Sequence, residues 1–108
     1  MKTPDITDFQ FLVLEIVRGR EVPGRVVREE LGKVGARWRK DGPAFYMAMS
    51  RLEKAGMIEG WYEPIEVDGH KVKERLYKVL GLGEQAYHAR LDFYRERASS
   101  MANGEVRT

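Results

Sequence analysis

Residues 41–58 read DGPAFYMAMSRLEKAGMI, and this stretch decides the fold. Asp41 can cap a helix that opens with Gly42-Pro43. Apolar residues then recur every three or four positions, which is the spacing of one helix face. They are Phe45, Ala48, Met49 and Leu52. Gly56 ends the pattern, and Met57-Ile58 can fold back on the last turn. The stretch therefore predicts an amphipathic helix.

The opposite face of this helix is unusual for a solvated surface. On a wheel of about 100° per residue, the outward positions are Pro43, Met47, Ser50 and Lys54, flanked by Tyr46 and Arg51. Their phenol, hydroxyl, guanidinium and ammonium groups suit base edges and phosphates. We therefore predict that Tyr46, Ser50 and Arg51 contact bases and that Lys54 contacts phosphate. The alternative for Tyr46 is packing against the preceding helix.

A basic segment precedes this helix. Residues 33–54 hold six lysines and arginines against two acidic residues, whereas residues 1–32 hold five against six. Arg37, Arg39 and Lys40 come just before the helix N-terminus, where free backbone N–H groups also favour an anion. We expect these three residues to bind phosphates; a solvated basic loop is the alternative. Trp38 is interpreted as a packing anchor.

Two further helices are expected before the basic segment. Thr7 followed by Gln10 is a capping box, and apolar residues repeat at helical spacing from Phe9 to Val17. Pro23 suits the first turn of a second helix. The apolar face of that helix is predicted to hold Val26, Val27, Leu31 and Val34.

After Gly56 the pattern changes to that of a β-hairpin. Asp68-Gly69 lies between two extended runs, and this pair favours a type I′ turn. Pro64 indicates that the first strand either lies at a sheet edge or is bulged at that residue. The hairpin carries three side chains that could contact phosphates, although an ordinary solvated turn is equally consistent with the residues. They are His70, Lys71 and Lys73.

A last helix is predicted from about residue 82 to 101. Its apolar residues are spaced 4, 3, 4, 3, which is the pattern of a coiled-coil stripe, and we predict that they form a dimer interface. They are Tyr87, Leu91, Tyr94, Ala98 and Met101. We therefore expect a DNA-binding domain at 1–81 and a dimerisation helix with a frayed tail at 82–108.

The order of these elements is helix, helix, helix, hairpin, long helix. It predicts an α+β winged helix-turn-helix fold, with three helices, a β-hairpin wing and a C-terminal dimerisation helix. In such folds the third helix enters the major groove of double-stranded DNA.

Composition excludes several other classes of protein. The 108 residues suit one domain, and the absence of cysteine excludes disulfides and thiol chemistry. No catalytic or metal motif is seen, so no enzyme activity, metal or cofactor is expected. The N-terminus lacks a signal-peptide pattern, and the longest apolar run is Leu12–Leu14. We therefore expect a cytoplasmic protein with no membrane partner.

The stretch from Phe45 to Ile58 resembles the core motif of PadR-type transcriptional regulators. The residues identical to that motif are Tyr46, Ala48, Arg51, Leu52, Glu53, Gly56 and Ile58. Leu76–Val79 followed by Gly83 is similar to the family's wing strand and last helix. The resemblance implies a dimeric bacterial repressor of the short form, with a single C-terminal helix. Some members of this family bind small aromatic or drug-like effectors.

Three functional hypotheses remain open at this stage. The first is a sequence-specific, homodimeric DNA-binding regulator that acts as a repressor. The second is a winged-helix module that binds another protein. The third is a sensor that holds a small aromatic effector with Trp61, Tyr87 and Tyr94.

Overall fold

The computed structural model describes residues 3–102. Within these residues, four helices and the two strands of the hairpin follow the predicted order, and a short additional strand precedes the second helix. They are α1 (Asp8–Val17), β1 (Val22–Pro23), α2 (Gly24–Val34), α3 (Gly42–Lys54), β2 (Ile58–Val67), β3 (His70–Val79) and α4 (Gly81–Ala102), with a short 3₁₀ turn at Ala36–Trp38. The strands form one antiparallel sheet in the order β1-β3-β2. The predicted α+β winged-helix architecture is confirmed.

The helix starts confirm the local signals in the sequence. Thr7 and Gln10 form a reciprocal capping box at α1, in which each side chain bonds the other's backbone N–H. The Asp41 carboxylate accepts a hydrogen bond from the Ala44 N–H at 2.9 Å at α3. Such caps satisfy backbone donors that the first helical turn leaves free.

The hairpin pairs β2 with β3 from Ile58 opposite Val79 to Val67 opposite His70. Both turn residues have positive φ, 51° at Asp68 and 78° at Gly69, as a type I′ turn requires. Strand β2 lies at the edge of the sheet, the first of the two arrangements that Pro64 predicts. Strand β1 joins the other side of β3, which adds a third strand to the predicted hairpin.

Helix α4 packs its first half on α1 of the same chain. The ring of Tyr87 stacks on Phe11 with centroids 4.9 Å apart, and Tyr94 meets Phe11 edge-on at 5.2 Å. Leu91 packs against the same core, and the Arg90 guanidinium bonds the carbonyl of Ile6. Half of the stripe predicted to face a second subunit thus packs inside its own subunit, because α1 supplies the apolar surface.

The second half of α4 lies outside the core. The helix has 22 residues, or about 33 Å at 1.5 Å per residue, and residues 95–101 are all exposed. This part includes Ala98 and Met101, and Phe93 just before it is 54% exposed. Ala102 is the last helical residue, and the rest of the predicted frayed tail lies outside the described residues.

The last turn of α2 differs from the sequence-based expectation. Val34, predicted on the apolar face of the second helix, is 53% exposed, because the last turn of α2 extends past the core.

In residues 3–102, no helix combines the length and the apolar character that crossing a membrane requires.

Candidate nucleic-acid interface

Helix α3 is fixed by one face and leaves the other open. Phe45, Met49 and Leu52 are fully buried in the core. On the opposite face Met47 is 60% exposed, and Arg51 and Lys54 are also exposed, whereas Ser50 is half-buried. The polar face predicted from the sequence is therefore accessible from solvent.

Tyr46 both packs and remains accessible. Its ring meets Phe45 edge-on at 4.9 Å, and its side chain is 40% exposed. The hydroxyl lies against Gly24 at the start of α2, where an added Cβ would come within 2.8 Å of the oxygen. The phenol therefore packs against the start of the second helix, where Gly24 makes room for it, while part of the ring stays accessible to solvent.

The basic segment is held by aromatic rings. The Arg37 guanidinium lies 4.5 Å from the centroid of the Trp38 ring, and the Lys40 ammonium lies 4.7 Å from that of Phe9. Trp38 packs against the core, so its interpretation as an anchor is confirmed. Arg37, Arg39 and Lys40 are all exposed. They remain candidates for phosphate contacts beside the start of α3.

The wing carries its three candidate phosphate-binding side chains in exposed positions. His70 and Lys71 lie at the start of β3, and Lys73 follows them. Lys73 also lines a cleft of about 370 Å³ between α3 and the wing, with Tyr46 and Tyr62 among the other lining residues. The wing and α3 thus border one concave surface.

Sequence reasoning missed two arginines on α2. Arg25 forms an ion pair with Glu74 of β3 at 2.7 Å, and the Arg28 guanidinium donates to the carbonyl of Lys40 at 3.2 Å. Both lie in the part of the chain where acidic residues outnumber basic ones, so the regional charge count did not single them out. Their spacing of three residues, which places them on one helix face, was the available signal.

A half-buried ion pair joins α3 to the wing. The Arg75 guanidinium bonds the Glu53 carboxylate at 2.6 Å, and each side chain is 23% exposed. A Cβ on Gly60 would come within 2.8 Å of the Glu53 oxygen, so glycine makes room for the pair. Burial alone would lower the pKa of the Arg75 guanidinium. The hydrogen bond to Glu53 and the negative charge of that carboxylate have a larger opposite effect, so the pKa of Arg75 is raised. The pair therefore fixes the wing relative to α3.

We expect Glu53→Gln to lower the free energy of unfolding by about 1–3 kcal/mol, because it leaves a half-buried guanidinium without its counter-ion. Thermal unfolding followed by circular dichroism measures the change. Glu59→Gln is the matched control. The ion pair of Glu59 with Lys78 is exposed and 3.4 Å long, so its loss should change the free energy of unfolding very little. Equal, small effects for both variants would contradict the role of Glu53.

The three aromatic residues suggested for an effector site are not brought into one cavity. Tyr87 and Tyr94 pack on α1, whereas Trp61 lies on β2 and donates to Glu63 at 3.0 Å. None of three surface cavities defined by residues 3–102 is lined by any of them. Over the same residues, no group of three potential metal ligands occurs.

Solved structures share this arrangement of helices and wing. A PadR-family transcription regulator from hypervirulent Clostridium difficile R20291 superposes with a TM-score of 0.73 at 14% identity, covering 90% of this chain and 97% of its own. The fold is that of the PadR-family transcription regulators. The resemblance seen in the sequence is confirmed at the level of the fold.

Two other structures with this PadR-type fold extend the comparison. Bacillus subtilis PadR, solved in complex with operator DNA, gives a TM-score of 0.65 at 16% identity and covers 92% of this chain and 61% of its own. RosR of H. salinarum gives 0.63 at 19% identity, covering 96% of both chains. No protein-family model and no curated protein matches this sequence.

Proposed function

We propose that this protein is a transcription regulator of the PadR type that binds specific sites in double-stranded DNA as a homodimer and represses transcription. The observation that carries the proposal is the accessible polar face of α3. Its opposite face is completely buried, so the helix is held rigidly against the core. A structure with the same fold, Bacillus subtilis PadR, is bound to operator DNA.

The residues divide by the contact that their chemistry allows. Tyr46, Ser50 and Arg51 are the base-reading candidates, because they project from α3 with hydrogen-bonding groups. The phosphate candidates are lysine, arginine and histidine side chains on the segment before α3, on α3 and on the wing. They are Arg37, Arg39, Lys40, Lys54, His70, Lys71 and Lys73. Six neutralised phosphates per dimer would give a slope of log K against log salt of about −5.

The homodimer is supported by the outer half of α4. Residues 95–101 are the fully exposed end of α4 and extend beyond the core, whereas most helical stability in proteins comes from the packing of an apolar face. Phe93 and Met101 add apolar side chains that are 54% and 59% exposed. A second copy of α4 would cover them. Two copies of α3 would then read half-sites about 34–36 Å apart.

We expect Arg51→Ala to weaken binding to the selected site by about 1–3 kcal/mol and to relax sequence preference, because it removes a base-reading side chain. Lys54→Ala should weaken binding less and uniformly across sequences, as a phosphate contact does. The site is first obtained by selection from genomic fragments. Fluorescence anisotropy with that duplex then measures both variants.

Arg20→Ala is the matched control, because Arg20 is an exposed arginine between α1 and β1, away from α3 and from the outer half of α4. It should bind DNA as the parent does. Selection that yields no preferred duplex, or full binding by Arg51→Ala and Lys54→Ala, would contradict the proposal. The first result would instead favour a winged-helix module that binds another protein. A reporter fused to the selected site tests repression.

A further inference from the structure

Three arginine side chains converge on the flank of α2. Arg25 and Arg28 of α2 and Arg39 from the segment before α3 line a cavity of about 250 Å³. Glu29 is the one carboxylate in its lining. Arg25 is also paired with Glu74 at 2.7 Å, so three guanidinium groups stand against two carboxylates here, and the remaining positive charge favours an anion.

Arg28 and Arg39 are both placed by contacts with neighbouring backbone. The Arg28 guanidinium donates to the Lys40 carbonyl at 3.2 Å, and its Nε is buried without an acceptor in the described part of the chain. Arg39 lies across α2 at Gly32, where a Cβ would be 3.0 Å from its Nε. A guanidinium carries five donors in a planar fork, so an oxyanion with several acceptor oxygens would satisfy donors that the protein leaves open.

The start of α2 adds to the same positive surface. Its cap residue is Pro23, which offers no side-chain hydrogen bond, and its first turn holds no acidic residue. By contrast, Thr7 and Asp41 cap α1 and α3. The uncapped N–H groups carry the positive end of the helix dipole, and Arg25 is the second residue of the helix.

Arg25 connects this cavity to the surface proposed to bind DNA. It lines both the arginine cavity and the cleft between α3 and the wing, where Tyr46 and Lys73 also lie. Arg39 follows the 3₁₀ turn and comes three residues before α3. Arg25 thus lies between the cleft beside the wing and the arginine cavity that reaches the segment before α3.

We propose that Arg25, Arg28 and Arg39 bind a phosphodiester group of the DNA backbone, beside the groove that α3 enters. This inference rests on the proposed function. The planar guanidinium fork matches two phosphate oxygens at once. A phosphodiester is also the anion that a protein bound along a duplex meets next to its recognition helix.

The test measures how affinity for the selected duplex depends on salt. Arg28→Gln and Arg39→Gln should each weaken binding about tenfold at moderate salt and lower the magnitude of the salt slope by about 1 to 2 per dimer, with sequence preference unchanged. Arg28→Lys should restore the slope. Glu29→Gln should strengthen binding about threefold, because it removes the carboxylate from the cavity lining. Circular dichroism confirms that each variant is folded, and Arg20→Gln, at an exposed arginine between α1 and β1, is the control.

Phosphate ethylation then locates the contact. Ethylating one backbone phosphate in each half-site should inhibit binding of the parent and no longer affect Arg28→Gln. An unchanged salt slope for both glutamine variants, together with weakened binding by Arg51→Ala, would overturn the arginine site and leave the proposed function standing. Binding of pyrophosphate that stabilises the parent but not Arg28→Gln, with the DNA salt slope unchanged, would assign the cavity to a free phosphate ligand and also overturn it. A parent that binds no duplex would overturn both.

Discussion

Gly83→Ala should destabilise the protein by about 3 kcal/mol or more, because backbone from another part of the chain occupies the space that its Cβ needs. An added Cβ would lie 2.2 Å from the carbonyl oxygen of Met57 and 2.8 Å from Cγ1 of Val79. That carbonyl accepts the hydrogen bond of the Leu80 N–H at 2.9 Å, which fixes the start of α4 on the turn after α3. Either this bond breaks or α4 moves away from the core.

A thermal melt measures the effect, which should be a fall in Tm of roughly 10–20 °C for a domain of this size. Gly81→Ala is the matched control: it changes the same residue type in the same turn of α4, and an added Cβ there meets nothing within 4 Å. We expect the control to melt at or slightly above the parent, since alanine favours the helix. Equal melting of the two variants would show that Gly83 tolerates a side chain.

Features fixed by neighbouring residues could be predicted from the sequence. The capping box at Thr7, the Asp41 cap and the Asp68-Gly69 turn each depend on residues within four positions of one another. The polar face of α3 also followed, because helical periodicity separates Phe45 and Met49 from Met47 and Lys54. These local signals were sufficient for the fold class.

Features fixed by distant contacts could not be predicted. The Glu53 carboxylate bonds Arg75, which lies 22 positions away in the sequence. The space at Gly60 and Gly83 depends on which side chains and backbone atoms from other parts of the chain approach them. No periodicity or composition encodes such approaches. The arginine cavity was missed for the same reason, because Arg39 joins Arg25 and Arg28 only after the segment before α3 folds back on α2.

The apolar stripe of α4 shows a further limit of periodicity. A repeat of 4, 3, 4, 3 indicates that one face of the helix is buried, but it does not indicate whether the same subunit or a second subunit covers that face. In the structure Tyr87 and Leu91 face α1 of the same subunit, and a different residue, Phe93, is left exposed. A substitution at Leu91 would therefore disturb the core of the subunit itself, and Phe93 is the better site at which to test dimerisation.

Phe93→Glu should convert the proposed homodimer into monomers while each subunit stays folded. The Phe93 side chain is 54% exposed in a single subunit, so the subunit loses little packing when it is replaced. Phe93 also borders a cavity of about 400 Å³ between α4 and the segment before α1, with Pro4, Ala86 and Ala89 in its lining. A partner helix covering this surface would bury the carboxylate without a counter-ion. Such burial is expected to raise the dimer Kd a hundredfold or more.

Light scattering at micromolar concentration should give about twice the chain mass of 12.5 kDa for the parent and the single-chain mass for Phe93→Glu. Phe93→Leu keeps an apolar side chain and should remain dimeric. Leu91→Asp, by contrast, should lower the melting temperature, because Leu91 packs on the core.

If binding to two half-sites depends on the dimer, Phe93→Glu must also lose affinity for the full site while keeping weak binding to one half-site. A parent that is monomeric at this concentration would contradict the homodimer, and a dimeric Phe93→Glu would place the interface on another surface.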